Sequence, residues 1–128
     1  MNWRGFLVIA IALNAGLAIP WWIGLLVSPE FRRWFLPGRF PDVALLSFAA
    51  GDVLLFVGAG LGAAYGLRAG RSWALPLLYL HTGAAWYASL YTLQQSIMTN
   101  EAWLSAGAMF PSLILLPVAC FTFRRGCN

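Results

Sequence analysis

Two side chains of this 128-residue chain place a carboxylate and an imidazole inside otherwise apolar sequence. Asp52 lies in "GDVLLFVGAGLGAAYG", residues 51 to 66, and His81, the one histidine, lies in "LYLHTG". Together they offer a proton acceptor and a proton donor with no cofactor, the two groups that a double-bond shift by protonation and deprotonation needs. An ionisable group at the centre of a bilayer costs about 3 kcal/mol on insertion scales, so it faces a bundle interior and takes a partner. Asp52 and His81 are therefore the candidate catalytic residues. Plainer accounts stand beside this one: a fixed hydrogen bond between helices for Asp52, and a satisfied core histidine for His81.

The polar surface continues beyond His81. Ala85, Ala88, Thr92 and Gln95 follow it at i+4, i+7, i+11 and i+14 and share its helix face, with Tyr87, Tyr91 and Gln94 on a neighbouring stripe. Asn14, Trp86, Tyr87, Tyr91 and Gln95 are the candidate ligand-binding residues, lining or closing a pocket. Hydrogen bonds between helices, at about 1 kcal/mol or less each, would account for the same residues without a ligand. No metal is expected: there is no CxxC or HExxH spacing, and one histidine with few acids cannot furnish a structural site. No GxSxG elbow, Walker A loop or dinucleotide fingerprint occurs, and "GAGLGAAYG" has neither a preceding strand nor a lysine, so no cofactor is expected.

The elements that must hold these residues follow from composition. Hydrophobic residues make up 61% of the chain and charged ones 9%, against roughly 25% charged in soluble domains. So few charges cannot cover a soluble globule, and the apolar runs 6–27, 43–67, 73–98 and 103–123 each reach the ~20 residues that span a bilayer. The expectation is one all-α transmembrane domain over residues 1–128, an integral membrane four-helix bundle of up-down topology, because short turns force neighbouring helices antiparallel. Asp52 lies nine residues past Val43, ~14 Å along a helix, and His81 eight past Trp73, ~12 Å from the other side. Asn14 is about as deep, so three helices bring a polar group to one level. The first run is too long, and too directly followed by Trp21 and Trp22, to read as a signal peptide. Those tryptophans, with Trp34, Trp73 and Trp103, suit an interfacial belt.

The net charge of +4 is carried by arginine alone, placed at span ends rather than on one face, which argues against nucleic acid. Arg4, Arg68, Arg71, Arg124 and Arg125 fall on one side and Arg32, Arg33 and Arg39 on the other, so both termini are expected in the cytoplasm. Cys120 and Cys127 then read as free thiols, with palmitoylation of Cys127 a weaker reading. The connection 28–42, "SPEFRRWFLPGRFPD", is too aromatic for a free linker and reads as an amphipathic segment on the membrane surface that could also cap the bundle mouth. Asp42 and Ser72 suit helix N-caps, Gly70 a helix end, and Asn100 or Thr99 the cap of the last helix, with Glu101 favouring its positive end. Gly58, Gly62 and Gly66 recur every four residues as a packing ridge, either within the chain or as a homodimer seam. Pro111 and Pro117 should bend the last helix.

Three stretches give a family likeness. "PEFRRWF" after the first helix, "GDVLLF" with its carboxylate on the second, and "LYLHTG" with a histidine–threonine pair on the third resemble the EXPERA-domain membrane proteins, the group of the emopamil-binding protein and the sigma-two receptor. "PSLILLPV" resembles their proline-containing last helix, and Asn14 stands where receptor-like members carry an aspartate. The resemblance covers residues 28–123. It implies a helical membrane protein with a lipid-facing entrance and a polar central pocket that uses Asp52 and His81 on a hydrophobic ligand.

The leading reading is a membrane protein that binds a sterol-like, isoprenoid or other amphiphilic ligand between its helices, with a cofactor-free double-bond isomerase as its catalytic form. A non-catalytic subunit or assembly factor of a larger membrane complex is the alternative, with the glycine ridge and the aromatics of 28–42 as contact surfaces. A small oligomeric transporter with Asp52 on its path is a third.

Overall fold

The structure is a computed structural model and describes residues 2–124, so Arg125 and Cys127 lie outside the described residues. Four long helices and one short one are present, with no strand among the described residues. Helix α1, Trp3–Val27, starts at Asn2, whose side chain accepts from the Gly5 amide at 2.8 Å. Ser28 ends α1 and opens the single turn α2, Pro29–Arg32, by accepting from the Phe31 amide at 3.1 Å. Helix α3 spans Asp42–Arg68, α4 spans Ala74–Thr99, and α5 spans Trp103–Arg124, unbroken through Pro111 and Pro117. Each apolar run of the sequence thus folds as helix.

Helices α1, α3 and α5 are long and apolar enough to cross a membrane; α4, at 26 residues, has the length but is not among the three. Tyr79, His81, Tyr87, Tyr91, Gln94 and Gln95 reduce its hydropathy, so composition supports three such helices rather than four. Helix α4 packs between α3 and α5, and α1 packs on α3 and α5. The main core gathers Leu7 and Ile11 of α1, Phe56 and Ala63 of α3, Leu78 and Ala85 of α4, and Leu116 and Ala119 of α5. Large apolar side chains, among them Leu17, Val27, Leu54, Met98 and Ile114, cover the outside. Water is a poor solvent for such a surface, and hydrocarbon a good one.

Helix ends depart from expectation in two places. Asp42 does not cap α3: Pro41 occupies the cap, and Asp42 instead accepts from Arg32 Nε at 2.8 Å. Trp73, not Ser72, precedes α4, and no side chain caps it. The α3–α4 turn does use Gly70, at φ 64°, while the Arg71 amide reaches back to the Gly66 carbonyl at 2.8 Å. A left-handed residue closing a helix in this way is the role glycine fills most easily. Asn100, also left-handed at φ 54°, ends α4 rather than starting α5.

The glycine ridge is only partly a packing device. A Cβ at Gly66 would lie 2.7 Å from that of Ala74, and one at Gly62 would lie 2.9 Å from Leu77. Gly58, in contrast, is exposed and meets no other helix. Steps of four overrun the 3.6-residue turn by about 40° each, so the series has wound about 80° between Gly66 and Gly58. The glycine under closest approach is Gly60, where a Cβ would sit 2.6 Å from Ala15 and 2.8 Å from the His81 ring.

The segment 28–42 is fastened across the mouth of the bundle. Arg32 Nη1 donates to the Leu25 carbonyl at 2.7 Å, satisfying the end of α1, while its Nε holds Asp42. The Gly38 amide donates to Glu101 Oε2 at 2.7 Å, so Glu101 ties this segment to the α4–α5 turn as well as standing near the start of α5. Phe35, Leu36 and Pro37 are buried, and Trp34 and Phe40 face outward.

Candidate functional site

Asp52 opens a π-helical stretch, Asp52–Gly58, set within α3. The i→i+5 pattern adds about one residue to the turn and rotates the later part of the helix relative to the earlier part, and such insertions are frequent at functional sites. Here the widened turn aims Asp52 at Trp22 of α1, whose indole Nε1 donates to Oδ2 at 3.1 Å. Oδ1 makes no hydrogen bond among the described residues.

Two spaces meet at this carboxylate. On the inner side is a cavity of about 50 Å³ lined by Trp21, Trp22, Asp52, Tyr87, Tyr91 and Gln95, with Phe35 and Leu36 of the 28–42 segment as its roof. It has room for a few waters at most. On the outer side is a groove of about 440 Å³ between α3 and α4, lined by Ser47, Leu55, Leu80, Gly83, Ala84 and Tyr87 together with Asp52. No basic residue lines either space. Phe48 lines both and meets Tyr91 at a tilt, 5.0 Å between ring centroids, and Tyr91 in turn stacks on Tyr87 at 6.4 Å.

His81 does not join Asp52. It is fully buried beneath α3, with the Phe56 ring edge-on at 4.7 Å and Gly60 against its imidazole. The Phe56 backbone lies beside the ring, but neither imidazole nitrogen makes a well-formed hydrogen bond, and the ring lines neither the cavity nor the groove at Asp52. The acceptor–donor pair that a double-bond shift requires is therefore not assembled around one space. The neighbouring Thr82 hydroxyl donates to the Leu78 carbonyl and lies 3.2 Å from Cys120 Sγ, a free thiol.

Asn14 reaches a different space. Its Nδ2 donates to Ser112 Oγ at 2.8 Å across to α5, and its Oδ1 is buried without a partner. A cavity of about 250 Å³ between α1 and α5 is lined by Asn14, Ser105, Ser112 and Trp21, and the Trp21 indole N–H is likewise buried and unpartnered. Trp21, Ser105 and Met109 line this cavity and the one at Asp52, so the two adjoin. Trp86 lines none of these spaces and is 43% exposed, because it points away from α3 and α5. Tyr87, Tyr91 and Gln95 do gather at Asp52.

The tryptophan pair overturns the belt expectation. Trp22 is 3% exposed and Trp21 half-buried, whereas Trp34, Trp73 and Trp103 are exposed near helix ends. The signal was present in periodicity: Leu7, Ile11, Ala15, Trp22 and Leu25 fall on one 3.6-residue stripe, the buried stripe of α1. No family model, curated protein or solved structure matches this chain. The His/Cys/Asp/Glu side chains form no group of three that could hold a metal among the described residues.

Proposed function

We propose that this chain is an integral membrane protein, a four-helix up-down bundle with both termini in the cytoplasm, that binds an amphiphile whose polar head meets Asp52 between α3 and α4. The observation that carries the reading is the position of Asp52, at the junction of an inner cavity and a groove of about 440 Å³. That volume falls within the ~300–1,000 Å³ usual for small-molecule sites. Among the described residues no cation neutralises the carboxylate and one oxygen is free of hydrogen bonds, so a head group with an ammonium or a hydroxyl donor is preferred. The hydrocarbon body, sterol-like, isoprenoid or a simple chain, lies over Leu55, Leu80 and Ala84. Entry is sideways from the lipid, which is also what the EXPERA resemblance implies. The reading is one of binding, since His81 stands apart from the carboxylate.

The test is thermal stability in a neutral detergent, titrated with hexadecylamine, hexadecanol and hexadecanoic acid. The amine should stabilise the wild type most, the alcohol less and the acid not at all, with the amine's advantage lost in Asp52→Asn. Equal responses to all three ligands would contradict the proposal.

A further inference from the structure

The end of the molecule opposite the 28–42 segment carries a second, differently charged groove. It measures about 810 Å³ and is rimmed by Arg4 of α1, Arg68 in the last turn of α3, and Arg71 and Ser72 of the α3–α4 turn. Its floor is apolar, with Val8 and Ile9 of α1, Leu75 of α4 and Phe123 of α5. No acidic residue lines it, and none of the three arginines has an ion-pair partner among the described residues. The N-termini of α1 and α4 and the C-termini of α3 and α5 all end at this rim, so the partial charges of the helix ends offset one another and the arginines carry the positive field. Unpaired guanidinium groups that converge over hydrocarbon-lined space fit a ligand with an anionic head and an apolar body. A free inorganic anion would leave the floor uncovered.

We propose that Arg4, Arg68 and Arg71 form a site for the phosphate of an anionic phospholipid, whose acyl chain lies over Val8, Leu75 and Phe123. Guanidinium groups grip phosphate through paired N–H donors, and basic clefts between membrane helices are suited to such head groups. The site shares with the proposed function only the placement of the chain in a membrane. It lies at the other end of the helices and selects the opposite charge.

The experiment is native mass spectrometry and thermal melting of the full chain in maltoside, with dioleoylphosphatidylglycerol, dioleoylphosphatidylcholine or inorganic phosphate added. Phosphatidylglycerol should stay bound and raise the melting temperature, and the other two should do neither. Each arginine replaced should weaken phosphatidylglycerol about fivefold, and Arg4→Gln/Arg68→Gln/Arg71→Gln together about a hundredfold. Arg33→Gln/Arg39→Gln, at the other end, should leave it unchanged, as should Asp52→Asn. If the triple variant does not fold, Arg71→Gln alone, in an exposed turn, gives the same reading through the ratio of phosphatidylglycerol to phosphatidylcholine bound. Equal retention of the two lipids, equal loss in the Arg33/Arg39 variant, or full competition by inorganic phosphate would overturn the proposal.

Discussion

The indole nitrogen of Trp22 donates to Asp52 Oδ2 at 3.1 Å, and this bond ties the buried face of α1 to the widened turn of α3. It orients the carboxylate toward the junction of the two spaces. Trp22→Phe keeps most of the ring volume but removes the donor, and should cost about 1 kcal/mol of stability in detergent. In a double-mutant cycle with Asp52→Ala the two changes should be coupled by a similar amount. Additive effects would mean that the contact contributes nothing.

Gly60, rather than Gly58, is the position of closest approach on α3. Gly60→Ala pushes a methyl into Ala15 and the His81 ring and should destabilise by about 1–3 kcal/mol. Gly107→Ala, in α5 with nothing within 4 Å of the added carbon, should stabilise by about 0.5–1 kcal/mol. Melting temperatures of the two variants check the pair, and equal shifts would contradict this packing.

The groove itself can be filled without touching the carboxylate. Gly83 lines it, and a Cβ there would meet nothing within 4 Å, so Gly83→Leu should keep the fold and occlude the site. Affinity for hexadecylamine should fall about tenfold or more while the melting temperature without ligand holds. Undiminished affinity would place the ligand elsewhere.

The roof over the inner cavity hangs on Arg32 and Glu101. Arg32→Lys cannot reach both the Leu25 carbonyl and Asp42 with the same fork geometry, so the roof should loosen by about 1 kcal/mol. Hydrogen exchange over residues 33–41 should speed up about fivefold in this variant and in Glu101→Gln, with α4 and α5 unchanged. Unaltered exchange would show that the aromatic contacts of Phe31 and Phe35 hold the segment by themselves.

How much of this is legible in the sequence depends on the interaction involved. Helix extents follow from apolar runs bounded by glycine, proline and charge, and each long helix lies where its run does. That Tyr87 and Tyr91 share a stripe of α4 also follows from helix periodicity; Gln95, which periodicity puts on the His81 face, lines the Asp52 cavity with them. The widened turn at Asp52 does not, because no propensity separates a π turn from an α turn in "GDVLLFVG", and a uniform helix assigns wrong faces to the residues around it. Gly58 reads as packed for a different reason: a four-residue repeat drifts across the helix face, and the close approach falls on Gly60 instead. Residue counts from the span ends bring His81 and Asp52 near one level, but the imidazole packs against Phe56 and Gly60, which lie further along α3 than the carboxylate. Trp22 reads as interfacial because tryptophan near a span end suits that position, although its place on the Leu7–Ile11–Leu25 stripe already turns it inward.

The central claim is that Asp52 holds the head of an amphiphile at the edge of the lipid. The most direct measurement is mass spectrometry of small molecules that co-purify with the wild type and with Asp52→Asn, which keeps an acceptor for Trp22 but removes the charge. A stoichiometric amphiphile with a basic or hydroxyl-bearing head should accompany the wild type and fall about tenfold or more in the folded variant. The same molecule retained in equal amount by both proteins would contradict the account.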